Sequence, residues 1–165
     1  MFARITTLLD ELSIPYSVIE HLPQGNTELA SLLRGHALDA AAKSLVVRAS
    51  NGPAHSRRYA LAVIPGDRIL DLSSVARILD RRKIGFVAEN ELHEMTGCVS
   101  GSVPPFCFDH RMELIVDSGL RRNSQMFFNA GQLDVSLAIS TRDYFDRIVT
   151  SEYSITRNID ISAHT

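Results

Sequence analysis

Three strand-like segments follow one another in the C-terminal third of this chain, with no helical pattern between them. They cover residues 112–117, 125–131 and 134–140, and each is rich in apolar or β-branched side chains. Earlier in the chain, single strands alternate with short helices. A doubly wound sheet alternates throughout, and a sandwich consists of strands throughout. The order of elements therefore predicts an α+β fold: a mixed, barrel-like, curved β-sheet with flanking helices.

Apolar spacing and capping residues give the individual elements. Helices are predicted over 3–13, 27–33, 38–42, 72–80, 89–97 and 141–149. Asn26 or Thr27 is the predicted cap of the second helix, which Gly35 ends, and Thr141 is the predicted cap of the last. The earlier strands are predicted over 16–21, 43–50, 56–65 and 84–88. Asn51-Gly52 separates two of these strands and suits a tight hairpin. We expect the residues after Ser151 to form a frayed tail.

Length and composition limit the class of protein. The 165 residues predict one domain, 1–165, and 45% hydrophobic residues are enough for its core. A formal charge of −2 argues against a general binder of DNA, RNA or anionic membranes. No apolar run approaches the roughly 20 residues of a membrane span, so we expect a cytoplasmic protein. Cys98 and Cys107 fit no paired-cysteine zinc motif, and we expect both to be reduced.

The usual catalytic signatures are missing. The six histidines never fall at metal-ligand spacing, and the sequence has no Walker loop or dinucleotide fingerprint. The segment 97–101 narrowly misses the G-x-S-x-G elbow, because Ser100 sits one place late. We therefore expect no metal, no cofactor and no serine nucleophile.

The most unusual segment is 101–106, with sequence GSVPPF. Pro104 and Pro105 fix their φ angles and lack N–H donors, so the loop is stiff. Gly101 permits a close approach to the backbone. The segment is either an ordinary rigid connection or a preorganised rim of a ligand pocket.

Two polar residues likewise allow both a structural and a functional interpretation. Lys43 stands where an Ala-rich helix is predicted to end and a strand to begin, and its cation either complements the helix terminus or lies over the end of the sheet. Asn129 follows two aromatic residues, with Asp134 shortly after it. The asparagine is either a turn residue before Gly131 or part of a site.

Seven of the basic residues fall into three short runs, at 57–58, 81–83 and 121–122. Together they could hold phosphates if the fold brought them to one place. Otherwise they are solvated surface.

Four segments taken together carry a family resemblance. They are ALDAAAKSLVV, YALAVIP, ELHEMTGCVSGSVPPF and FNAGQLDVSLAISTRDY. In this order and at these separations they resemble the YbaK/prolyl-tRNA synthetase editing domains, particularly the free-standing YeaK-like members. The similarity runs from about Arg4 to the last helix.

The resemblance implies a hydrolase that cleaves the ester between an amino acid and the end of a mischarged tRNA. Its expected partner is the acceptor end of an aminoacyl-tRNA. An aminoacyl-tRNA synthetase is a further candidate partner, and the sequence leaves open whether a synthetase recruits the protein. Lys43 matches the family's functional lysine, and Gly101 matches the glycine of the loop that grips the terminal adenosine and the aminoacyl group. Asn129 falls where other branches carry a different polar residue, including His.

These matches lead to a mechanistic hypothesis. An aminoacyl ester is already activated, so its hydrolysis requires chiefly a positioned water and a stabilised oxyanion. Lys43 would stabilise negative charge at the carbonyl or a nearby phosphate, and the Gly101 carbonyl would orient the water with the ribose hydroxyl. Asn129 and Asp134 would bind the α-amino group or water. The remaining expected substrate contacts are Ser102, Val103, Pro104, Pro105, Phe106 and Phe128.

The size of the pocket sets the expected substrate. Val103, Phe106 and Phe128 would admit a short side chain and exclude large ones, which favours Ala, Ser, Thr or Cys. The rival hypothesis is a non-catalytic module that binds tRNA or a small ligand on the same fold. An ordinary esterase is disfavoured by the missing nucleophile elbow.

Overall fold

The computed structural model describes residues 1–49 and 58–160, which form five α-helices and ten β-strands. The helices are α1 Phe2–Glu11, α2 Thr27–Arg34, α3 Leu72–Ile78, α4 Glu89–Thr96 and α5 Thr141–Arg147. The first five strands are β1 Tyr16–Glu20, β2 Ala42–Ala49, β3 Tyr59–Pro65, β4 Arg68–Leu70 and β5 Ile84–Phe86. The others are β6 Met112–Asp117, β7 Gln125–Asn129, β8 Val135–Ser140, β9 Glu152–Tyr153 and β10 Thr156–Asn158.

The described strands form three sheets. The largest has the order β5-β2-β3-β6-β9, with antiparallel pairing on either side of β2 and parallel pairing on either side of β6. An antiparallel sheet β1-β8-β7 stands beside it, and a single bridge from Ala41 to Phe127 links the two. Strands β4 and β10 form a small third sheet. The mixed α+β fold is thus confirmed, although the described strands do not close into a barrel.

Strand β3 divides the hydrophobic core into two parts. All of its seven residues are buried. Leu61 and Val63 face the cluster that contains α1 and the three-stranded sheet, whereas Ala62 and Ile64 face the cluster beneath α3. A central strand covered on both faces needs a continuous apolar run, which is what YALAVIP provides.

Most of the predicted boundaries agree with the structure. The Asn26 side chain caps α2 by accepting the Leu29 N–H, and Gly35 ends that helix in the left-handed region with a φ of 75°. Strands β2 and β3 pair as a hairpin, while its predicted turn at Asn51-Gly52 lies outside the described residues.

Two helix predictions are wrong in detail. The predicted helix 38–42 is a single 3₁₀ turn, Leu38–Ala40, because Ala42 already belongs to β2. The cap of α5 is Ser140 and not Thr141, since the Ser140 hydroxyl accepts the Asp143 N–H.

The predicted frayed tail is also wrong for residues 152–158. Strand β9 pairs with β6, and strand β10 pairs with β4. Between them Ile155 is fully buried, and its N–H donates to the Asp117 carboxylate at 2.9 Å. The segment is too short and too polar for its pairing to be recognised from periodicity.

The basic runs do not meet in one site. Arg58 pairs with Glu113 at the start of β3, whereas Arg122 pairs with Asp67 just beyond its end. A seven-residue strand spans about 20 Å, so these two groups lie far apart. Arg121 is paired with Glu152. Within the described residues, no helix is both long and apolar enough to cross a bilayer.

The buried position of Ile155 gives a test of the tail. Replacing it with Ala should lower the free energy of unfolding by about 2–5 kcal/mol, because it removes a fully buried side chain. Ile159, which is 46% exposed, is the matched control, and Ile159→Ala should stay within about 0.5 kcal/mol of the unsubstituted protein. Urea unfolding measures both. Equal, small losses would mean that the segment does not pack as described.

Candidate active site

A cavity of about 380 Å³ lies beside the N-terminal half of β2, and we call it the β2 cavity. Helix α2 covers one side, and the start of α4 covers another. Ser100, Gly101 and Val103 contribute a third wall, and Phe128 and Asn129 close the end. These walls come from widely separated parts of the chain, so the cavity depends on the complete fold.

The cavity exists because part of one edge of β2 is left without a neighbouring strand. Strand β5 pairs with residues 47–49 and the Val87 N–H donates to the Val46 carbonyl, which leaves residues 42–45 without a paired strand on that side. The Ala49 N–H donates to the carbonyl of Arg58, the residue before β3, so by alternation the backbone groups of Ser44 point the other way, toward the cavity. The Ser44 hydroxyl is buried and has no hydrogen-bond partner among the described residues. The wall thus offers polar groups to a ligand.

Gly101 is held in a conformation that only glycine suits. Its φ is 84°, and a Cβ at this position would lie 2.4 Å from the carbonyl oxygen of Gly25. Ser102 fixes the same turn, because its buried hydroxyl donates to the Val99 carbonyl at 2.8 Å. The loop is therefore rigid, and two stretches of backbone touch at the mouth of the cavity.

Asn129 joins these parts of the cavity wall. Its Nδ2 donates to the carbonyls of Gln24 and Gly101, both at 2.9 Å. Its Oδ1 accepts from the Ser136 hydroxyl at 2.8 Å and from Arg34 Nη1 at 3.3 Å. Every hydrogen-bonding position of the amide is occupied. The geometry makes Asn129 a positioning residue for the Gly101 loop.

Arg34 is a cavity residue that the sequence analysis missed. Its Nε donates to His36 Nε2 at 2.9 Å, and its Nη1 donates to the Ser136 hydroxyl at 3.1 Å. Burial lowers the pKa of the guanidinium to about 10, so it remains a cation near neutral pH. No carboxylate lies within 4 Å of it among the described residues. A half-buried cation without an acidic partner suits an anionic ligand.

His36 supports this arginine. Its ring stacks on Phe127 with centroids 3.9 Å apart, and its Nδ1 lies 2.8 Å from the Ala37 carbonyl. Burial lowers the pKa of the imidazole, which favours the neutral ring that accepts the Arg34 N–H. The sequence shows Arg34 only as a cation at a helix end, so nothing in it reveals this role.

Lys43 is another lining residue of the β2 cavity. Along β2 its side chain leaves from the face opposite to Ala42 and Val46, and its Nζ donates to the Arg68 carbonyl at 3.0 Å. Burial lowers the pKa of the amine, and the nearby Asp67 carboxylate opposes part of that shift. The ammonium keeps two further protons for a ligand.

Five of the residues singled out from the sequence line the β2 cavity: Lys43, Gly101, Val103, Phe128 and Asn129. Phe106 stands behind this wall, with its ring edge-on to Phe128 and centroids 5.4 Å apart. Together with Pro104 it lines a second cavity of about 680 Å³.

The other three predicted contacts lie away from the cavity surface. Ser102 is fully buried, and the Pro105 carbonyl accepts a hydrogen bond from the Tyr144 hydroxyl at 2.7 Å. Asp134 is exposed, and only its backbone carbonyl makes a described bond, to the N–H of His21. Ser102 and Pro105 thus stabilise the Gly101 loop from the protein interior. The Asp134 carboxylate is not part of the cavity wall.

Comparison with known proteins finds matches to aminoacyl-tRNA editing proteins. Residues 26–146 match the aminoacyl-tRNA editing domain. The chain is 34% identical over 142 residues to the Multifunctional Ser/Thr-tRNA deacylase ProXp-y of Escherichia coli K12, covering 86% of this chain and 84% of that protein. It is 25% identical over 157 residues to the Prolyl-tRNA editing protein ProX of Acetoanaerobium sticklandii, covering 93% of both chains.

Solved structures share the fold. The crystal structure of hypothetical protein APE2540 superposes with a TM-score of 0.83 at 20% identity, covering 93% of this chain and 99% of the other. At this identity the likeness concerns the fold alone. It agrees with the mixed α+β architecture described above.

The contact between Gly101 and Gly25 predicts an unequal effect of two glycine substitutions. Gly97 also has a positive φ, 69°, but a Cβ there would meet nothing within 4 Å. Gly97→Ala should therefore cost about 1–2 kcal/mol of unfolding free energy, the price of the left-handed backbone alone. Gly101→Ala should cost about 3 kcal/mol or more, because it adds a backbone clash. Chemical denaturation of both variants tests this, and equal losses would contradict the described packing.

Proposed function

The chain belongs to the aminoacyl-tRNA editing domain family, and on that premise we propose that it hydrolyses, in trans, the ester of tRNA mischarged with a small amino acid, serine and threonine foremost. The observation that supports this most directly is the β2 cavity, where Lys43, Gly101 and Asn129 come together from three distant parts of the chain. The E. coli relative named a Ser/Thr-tRNA deacylase suggests the side-chain class.

The proposed chemistry needs no protein nucleophile. An aminoacyl ester is activated, and the enzyme has to hold a water and stabilise the charge that develops on the carbonyl oxygen. The Gly101 carbonyl accepts one bond from Asn129 and keeps a second lone pair with which to orient a water, together with the substrate's ribose hydroxyl. Lys43 contributes positive charge at the carbonyl or at the adjacent phosphate.

The cavity wall favours small side chains. Ala30, Val103 and Phe128 line it, and Phe106 holds the Phe128 ring in place from behind. A rigid apolar wall rejects what is too large much better than what is too small. We therefore infer a preference for alanyl, seryl, threonyl and cysteinyl esters.

The proposed partner is the acceptor end of the tRNA. The first and third basic runs lie far apart, and the arginines at 58, 121 and 122 are already paired with acidic residues. Few phosphates are then contacted, so affinity for free tRNA should be modest and should fall with salt. A synthetase that delivers the mischarged tRNA would compensate for this weak affinity. Because charged tRNA is the proposed substrate, the proposed location is the cytoplasm.

Release of labelled amino acid from a panel of charged tRNAs tests the function. We expect Ser- and Thr-tRNA to be deacylated and Phe- or Leu-tRNA to survive, because the cavity excludes bulky side chains. Cleavage of only the bulky esters would overturn the size argument. Retention of tRNA without release of any amino acid would favour the alternative, a binding module that lacks catalysis.

Lys43→Ala tests the role of the ammonium. If this group stabilises the developing charge, kcat for the preferred substrate should fall on the order of 100-fold. Arg142→Ala is the control, because it removes one cation whose side chain is 86% exposed and does not line the cavity. Single-turnover deacylation measures both variants. Near-normal turnover by folded Lys43→Ala would rule out this role.

A further inference from the structure

We propose that the Glu89 carboxylate binds the α-ammonium group of the aminoacyl ester, so that the site recognises a free amino group as well as a small side chain. This inference rests on the proposed deacylase function and adds a specificity-determining residue to it.

Glu89 is the only acidic residue among the described residues that line the β2 cavity. It is the first residue of α4, and its side chain accepts the Ser100 N–H at 2.8 Å. That bond holds the carboxylate next to Gly101, the residue proposed to orient the attacking water. A carboxylate has about four acceptor positions, so most of them are available to a second donor.

The charges of the cavity match those of an aminoacylated RNA end. Arg34 from α2 and Lys43 from β2 supply positive charge, and Glu89 supplies negative charge from the other side of the opening. An aminoacyl-tRNA carries phosphate anions on its backbone and an amino group that is largely protonated near neutral pH. The two cations suit the phosphate and the developing oxyanion, and the carboxylate suits the ammonium.

The other groups considered for the ammonium are less suitable. All hydrogen-bonding positions of the Asn129 amide are occupied by protein atoms. Asp134 and Glu89 are both exposed residues, but only Glu89 lines the cavity. Glu89 is the carboxylate that remains within reach of a bound ester.

The test compares two substrates that differ only in the charged group. One is Ser-tRNA, and the other is the same tRNA carrying the 2-hydroxy acid in which a hydroxyl replaces the α-ammonium. Glu89→Gln keeps an oxygen that accepts the Ser100 N–H but removes the charge. We expect Glu89→Gln to lower kcat/KM for Ser-tRNA about 10-fold and to leave kcat/KM for the hydroxyacyl-tRNA unchanged. Glu94→Gln, on the same helix, 73% exposed and outside the β2 cavity, should change neither rate.

The other outcomes of this comparison would overturn the proposed role of Glu89. An equal loss on both substrates would show that Glu89 only holds the Ser100 loop, and no loss on either would show that it has no part in recognition. Either result overturns this inference while the deacylase proposal stands. If the unsubstituted protein releases amino acid from no aminoacyl-tRNA, the deacylase proposal fails and this inference fails with it.

Discussion

The amide of Asn129 connects the parts from which the β2 cavity is built. Two carbonyls, from Gln24 and Gly101, bind its nitrogen, and Ser136 and Arg34 bind its oxygen. A buried polar network stabilises a structure only when every member has its partners, since an unpaired buried group costs about 1–3 kcal/mol. The complete pairing of one side chain therefore fixes the Gly101 loop, the loop at residue 24 and the arginine in relation to one another.

The second constraint is the open edge of β2. A strand edge with unpaired backbone groups is usually a liability, because it can pair with another chain. Here the edge forms one wall of the β2 cavity, together with helix α2 and residues from the loop at 100–103. The same backbone groups that would promote aggregation on a surface become hydrogen-bonding groups for a ligand. The rigid Gly101 turn and the fixed amide make this wall preorganised, which is what an electrostatic site requires.

Different parts of the structure were predictable for different physical reasons. The apolar run of β3 and the Asn26 and Gly35 caps depend on local chemistry, and the sequence displays that chemistry directly. Lys43, Gly101 and Asn129 could be singled out because motifs mark them. Arg34 and Glu89 could not, since each has an ordinary explanation at a helix terminus and only long-range packing brings it to the cavity. Phe106 and Asp134 illustrate the opposite case, because nearness in sequence to a motif does not determine which way a side chain points.

Arg34 shows how such a site tolerates an unfavourable element. Its guanidinium is half-buried, burial lowers its pKa, and no described carboxylate forms an ion pair with it. Neutral acceptors from His36 and Ser136 recover part of the lost hydration and hold the group in one orientation. A carboxylate partner would stabilise the fold more, but it would also neutralise the field that the cavity presents to an anion. The arrangement therefore sacrifices some folding stability and keeps a fixed positive charge where a phosphate or an oxyanion would be bound.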